Sequence, residues 1–258
     1  MIEWSKAGRD ILAKQKNLAP MERALLEAQV HGAEIAAAAL MTPAIDRVSE
    51  GLFQDSVREY KENPQDPEKV TNFWRNFVAF SVQSAEGGNI RIPEVPAVDR
   101  SREELEALRQ EGRMMVYNPG LSYAELGKVF PKMNSYSVRE DSPIKDKASK
   151  PGWIDVEADI DAPNRNTTQK ELEELYKSQG RKGMRESTYI WAGQASKVLT
   201  DKYFDQDTTY SRLLESSNDG QVVLAYFYPH GELRVHSYLF PQGRHPFLGG
   251  RSEGVKSS

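Results

Sequence analysis

Residues 153–161 read Trp153-Ile154-Asp155-Val156-Glu157-Ala158-Asp159-Ile160-Asp161, and this alternation sets how the rest of the chain is read. A strand sends successive side chains to opposite faces. Asp155, Glu157, Asp159 and Asp161 are therefore expected on one face, and Ile154, Val156, Ala158 and Ile160 on the other. A sheet with one face on a core and one in water shows this pattern. The plainest reading is the wet side of an antiparallel sheet.

The carboxylate face has two sharper readings. Hard cations take oxygen ligands. Asp159 and Asp161 stand one strand step apart, Glu157 adds a third carboxylate, and Asn164 and Asn166 lie in the turn that follows. Asp159, Asp161, Glu157 and Asn164 are thus the candidate ligands for Mg²⁺ or Ca²⁺. The stretch lacks the glycine and the closing Glu spacing of an EF-hand loop. The other reading is a receptor for a basic partner.

Beyond this strand, Ala162-Pro163-Asn164-Arg165-Asn166 is a turn, and Thr167 or Thr168, the latter with Glu171 three residues on, caps a helix carrying Leu172, Leu175 and Tyr176. Residues 187–204 read as another helix. Gln221–Tyr228 and Glu232–Phe240 are rich in Val, Leu, Tyr and Phe, and Pro229-His230-Gly231 between them suits a type I turn with a bulge. The aromatics of this hairpin, Tyr226, Tyr228, His236, Tyr238 and Phe240, have the residue types of a base-stacking platform. Such platforms accompany a basic groove, and the hairpin supplies only Arg234. Core packing is the expected role.

The first 85 residues read as helices. Pro20, Pro43 and Pro67 fit first helical positions, and Val70, Phe73, Trp74, Phe77 and Val78 step by three and four. Gly87-Gly88, Pro93 and Pro96 then break the pattern. The expected organisation is α+β: a helical bundle region over 1–85, a Pro/Gly linker over 86–100, an α+β domain with a mostly antiparallel sheet and two or three helices over 101–240, and an extended or disordered tail over 241–258. Within the α+β domain, Met114–Tyr117 and Ser135–Val138 are short strand candidates.

Composition narrows the function classes. At 38% hydrophobic and 28% charged, the chain is polar but able to build a core. Its net charge is −4, and the acidic surplus is shared evenly between halves cut at Lys150. No basic half attracts nucleic acid. There is no cysteine, which excludes disulfides, thiolate metal sites and a Cys nucleophile. No stretch has the apolar length of a membrane span, and the first 16 residues lack a signal-peptide core. A cytoplasmic location is the expectation.

The histidines, His31, His230, His236 and His245, show no metal-ligand spacing. No G-x-S-x-G, Walker loop, G-x-G-x-x-G or H-E-x-x-H occurs, so no cofactor is expected beyond the Mg²⁺ or Ca²⁺ above. Residues 121–139 have a helix-turn-helix rhythm, but Ser142-Pro143 leaves the second helix short for a major groove and Glu140-Asp141 would face phosphates. The leading expectation is a soluble, non-catalytic binding protein whose partner is another protein, with no membrane partner. Behind it stands a cation-dependent enzyme acting on a phosphorylated or nucleic-acid substrate, and last a nucleic-acid-binding protein.

Overall fold

The computed structural model describes residues 48–85, 90–133, 150–216, 220–239 and 241–254. The helices expected to begin at Pro20 and Pro43 start outside them, and the strand expected at 135–138 lies outside them, as does the second half of the helix-turn-helix-like stretch. The described chain is α+β, with six helices and two mostly antiparallel sheets.

Capping chemistry sets where the helices begin. Ser49 caps α1 (Glu50–Glu62), and Asp66 followed by Pro67 opens α2 (Pro67–Gln83). Ser101 with Glu104, Ser122 with Glu125 and Thr168 with Glu171 form reciprocal capping boxes for α3 (Arg102–Gln110), α4 (Tyr123–Val129) and α5 (Gln169–Ser178). The sixth helix, α6 (Glu186–Thr200), has no side-chain cap of its own and ends at Asp201, whose φ of 66° is left-handed.

Sheet A contains β1 (Arg113–Asn118), β2 (Gly152–Glu157), β3 (Lys182–Gly183) and β8 (Ser252–Gly254), in the order β1-β2-β8-β3 and antiparallel throughout. Sheet B contains β4 (Tyr210–Ser216), β5 (Val222–Phe227), β6 (Leu233–Leu239) and β7 (Leu248–Gly250), in the order β6-β5-β4-β7, with β7 parallel to β4. The β5–β6 hairpin turns as its residues dictate: Gly231 takes φ 89° and its N–H bonds Tyr228 O at 2.9 Å. The acidic strand and this hairpin, expected in one sheet, stand in two. The reason is the chain's end. Residues 248–254 add β7 to sheet B, change direction at Arg251 and add β8 to sheet A beside β2.

One continuous core runs through the described chain. It takes Phe53 and Val57 from α1, Phe73, Trp74 and Phe77 from α2, Val116 from β1, Tyr189, Ile190 and Trp191 from α6, and Phe227 and Val235 from the hairpin. Trp191 meets Phe77 and Phe130 edge-on, with centroids 5.7 and 5.0 Å apart. Helix α6 is buried on every side over most of its length, because Ala192, Gly193, Ala195 and Ser196 keep it slender. A Cβ on Gly193 would stand 2.4 Å from the Phe227 ring. From Ile90 onward the 86–100 stretch lies along this core. Val95 and Val98 are buried, Val98 N–H bonds Thr71 Oγ1 at 3.0 Å, and Trp153 Nε1 bonds Pro96 O at 3.1 Å. Among the described residues no helix is long and apolar enough to cross a membrane.

Candidate functional site

The strand that carries the alternating carboxylates ends at Glu157, so the series divides. Ile154 and Val156 enter the core as expected. Asp155 and Glu157 do not face water. Side chains of directly paired strand residues share a face, and Arg113 stands opposite Glu157 in the ladder. Arg113 reaches Asp155 at 3.3 Å and Glu157 at 3.7 Å. Arg181, leading into β3, pairs with Asp155 from the other side and donates to its carbonyl at 2.9 Å. Glu157 accepts the Ser252 N–H at 2.7 Å. The carboxylate face of β2 is occupied by two arginines, and Ser252 of the neighbouring β8 bonds Glu157, so the wet-face reading fails for these two residues.

Past Glu157 the chain leaves the sheet because its carbonyls are taken by Arg251. This guanidinium is fully buried. It donates to Asp159 O at 2.7 Å, Ile160 O at 2.9 Å and Asp205 Oδ1 at 3.1 Å, and its Nε donates to Ser211 Oγ at 3.2 Å. Phe204 lies 4.0 Å beneath it, a cation–π contact. Asp205 is buried as completely, and accepts from Tyr189 Oη at 2.8 Å, Thr209 Oγ1 at 2.7 Å and Ser211 Oγ at 2.6 Å. A buried ion pair with its remaining lone pairs and protons satisfied is a structural clamp.

Of the metal candidates, Asp159, Asp161 and Asn164 line one open depression of about 530 Å³, together with Arg165 and Lys202. Glu157 is not part of it; its carboxylate is held at Ser252. Asp161 accepts from Thr208 Oγ1 at 2.6 Å, and Asn164 Nδ2 donates to Gly250 O at 3.3 Å. Among the described residues no three His, Cys, Asp or Glu side chains converge as a metal centre would need.

At the start of α6 the missing cap comes from other strands. Glu215 of β4 accepts the Glu186 N–H through both oxygens, at 3.1 and 3.0 Å, and Glu253 of β8 accepts the Arg185 N–H at 3.1 Å. Burial pushes the Glu215 carboxyl up to about 8, against the lowering pull of its own backbone N–H and that of Glu186.

The largest departure from expectation is on sheet B. The core side of the hairpin is Val223, Ala225, Phe227, Leu233 and Val235. The opposite side holds Tyr226, Tyr228, Arg234 and His236, and β4 adds Tyr210. Rings follow one another across this outer face. Tyr228 stacks on His230 at 5.4 Å, Tyr226 meets Tyr228 edge-on at 5.4 Å, and Tyr226 meets Tyr210 at 4.7 Å and His236 at 6.0 Å. Arg234 lies 5.5 Å from the Tyr228 ring and is fixed to Glu232 at 2.8 Å. The face is half-open: Tyr210, Leu214 and Phe247 are exposed. Burial first, then the Tyr228 hydroxyl, pushes Tyr226 up to about 12, so it stays a protonated donor. Burial and Arg234 lower His236, which keeps its ring neutral near neutral pH. Tyr238 and Phe240, the other two expected platform residues, have side chains outside the described set.

A signal for this face does lie in the sequence. Pairing through the turn sets Tyr226 opposite Arg234 and Leu224 opposite His236. Polar Arg234 and His236 mark the wet side, and their partners share it. Compared with known proteins, the chain matches no family model, and no curated protein or solved structure is significantly similar to it.

Proposed function

We propose that this protein is a non-catalytic binding protein that recognises a protein partner through the outer face of the β4–β5–β6 sheet. The observation that carries this reading is the run of rings from His230 to Tyr210, with Tyr210 exposed at its end. Tyr and Arg concentrate at interface centres, because they offer large contact area with few rotatable bonds and a polar end. The rim favours an acidic partner. Arg234 and Lys132 stand at the Tyr228–His230 end of the run, Lys132 donating to His230 O at 3.1 Å, while the acidic Glu232 is already engaged by Arg234 and His230. The partner's contact surface is therefore apolar at its centre and carboxylate-rich at its edge.

The test compares capture of partners from host extract by the wild type, by Tyr210→Ser with Tyr226→Ser, and by Asp159→Asn with Asp161→Asn. The reading expects a partner kept by the acid variant and lost by the aromatic one, with binding that weakens as salt rises. The same partners on all three proteins would contradict it.

The second reading is a Mg²⁺- or Ca²⁺-dependent enzyme. Its support is the depression lined by Asp159, Asp161 and Asn164, with Lys202 at its wall. An ion bound at 100 times its dissociation constant stabilises the fold by about 2.7 kcal/mol. No shift in Tm at millimolar Mg²⁺ or Ca²⁺ removes this reading.

A further inference from the structure

Arg212 and Arg251 are both buried, on opposite faces of sheet B, and they are satisfied to different degrees. Every guanidinium nitrogen of Arg251 donates to an acceptor. Arg212 is only 2% exposed. Its Nη2 donates to Thr167 O at 2.9 Å and to Gly243 O. Its Nε and Nη1 are sealed from solvent and have no hydrogen-bond partner. Among the described residues no carboxylate lies within ion-pair distance of it. Two carbonyl dipoles do not offset a full buried charge, whose unpaired cost is several kcal/mol.

A second polar group ends in the same place. Gly250 is the strand partner of Arg212, and the space its missing side chain leaves is filled by α5: a Cβ there would stand 2.7 Å from Tyr176 Oη and 2.7 Å from Leu172 Cδ1. The Tyr176 hydroxyl is buried beside the Asn164 amide, and its proton finds no acceptor. Val222, Leu224 and Leu248 form a small apolar cluster of their own on this face. Residues 241–247 close it from outside as a strap. The strap is held by Gln169 N–H to Pro241 O at 2.9 Å, by Arg244 to Asn166 O at 2.9 Å, and by the exposed Arg244–Glu171 pair.

We propose that Arg212, with the Tyr176 hydroxyl, is the donor set of a binding site for a compact oxyanion, a phosphate or a carboxylate, beneath the 241–247 strap. Nε and Nη1 of Arg212 and the phenol proton are the donors left over, all on one side of sheet B, and an anion supplies the charge that Arg212 lacks. No residue of 241–247 belongs to the core, so the strap can lift by releasing Gly243 O from Arg212 together with its bonds to Gln169 and Arg244. This site lies under the same face of sheet B as the protein-binding surface, but its test uses small anions alone, so either proposal can fail without the other.

The experiment follows thermal melting of the full chain against inorganic phosphate, acetate and chloride at matched ionic strength. The expected result is a saturable rise in Tm with phosphate or acetate beyond that in chloride, with the more effective anion naming the ligand class. Arg212→Gln should abolish the rise, Tyr176→Phe should weaken the apparent affinity about fivefold, as loss of one hydrogen bond does, and Arg58→Gln, a remote surface change, should preserve it. No rise beyond chloride, or an equal rise in Arg212→Gln, overturns the proposal. If Arg212→Gln does not fold, Tyr176→Phe decides: wild-type affinity in that variant also overturns it.

Discussion

The seam between the two sheets and the outer face of sheet B both set polar atoms beside large side chains, but only the seam is self-contained. At the seam, Arg251 and Asp205 satisfy each other and the carbonyls of residues 159 and 160, and Arg113, Arg181 and Ser252 close around Asp155 and Glu157. On the outer face, Tyr210, Tyr226, Tyr228 and His230 touch ring to ring and end at solvent. Charge at the seam therefore works for the fold. Aromatic area left half-open on the sheet is what a partner can still bury.

The comparison breaks first at Arg251. Arg251→Met removes the cation and leaves Asp205 buried without it, so a loss of about 3–5 kcal/mol in urea unfolding is expected. A loss under about 1 kcal/mol would make the seam dispensable. Glu215 sharpens the same region through pH. Its folded pKa, about 8, lies well above the ordinary glutamate value of 4.5. Its contribution to stability is therefore fully present below about pH 4.5 and is lost as pH rises through 8. Glu215→Gln mimics the protonated carboxyl, so it should unfold less readily than the wild type at pH 8 and match it below about pH 4.5. Parallel pH curves for the two proteins would contradict the burial argument.

A steric change at the seam comes next. A Cβ on Gly249 would stand 2.1 Å from Pro163 O, so Gly249→Ala should cost about 1–3 kcal/mol by displacing β7, read as a fall in Tm. On the outer face the expectation reverses. Tyr210→Ser with Tyr226→Ser should change stability by only about 1 kcal/mol while removing partner binding. Asp161→Ala, at a half-exposed side chain bonded to Thr208, should shift stability by less than about 0.5 kcal/mol.

Local rules in the sequence carried the elements. Ser101, Ser122 and Thr168, each with a Glu three residues on, cap helices, and Pro229-His230-Gly231 makes its turn. Alternation in 153–161 identified β2 but not what covers its second face, because Arg113, Arg181 and Ser252 arrive from 42, 26 and 95 residues away. No local pattern encodes such distances. Arg251 sat in a Gly- and Ser-rich end that reads as a tail, yet those small residues are what permit the close approach of β7 to Pro163. In β5 both faces are apolar, so alternation alone could not tell the core side from the aromatic side; the polar residues of β6 could.

The central claim is that the outer face of sheet B is the recognition surface and the seam is not. Its most direct test is the affinity, for one captured partner, of the wild type and of the Tyr210→Ser, Tyr226→Ser variant, with Tm measured on the same samples. The account predicts a loss of about 30-fold or more, the size of an interface hot spot of about 2 kcal/mol, with both proteins folded. Equal affinities in two folded proteins would contradict it.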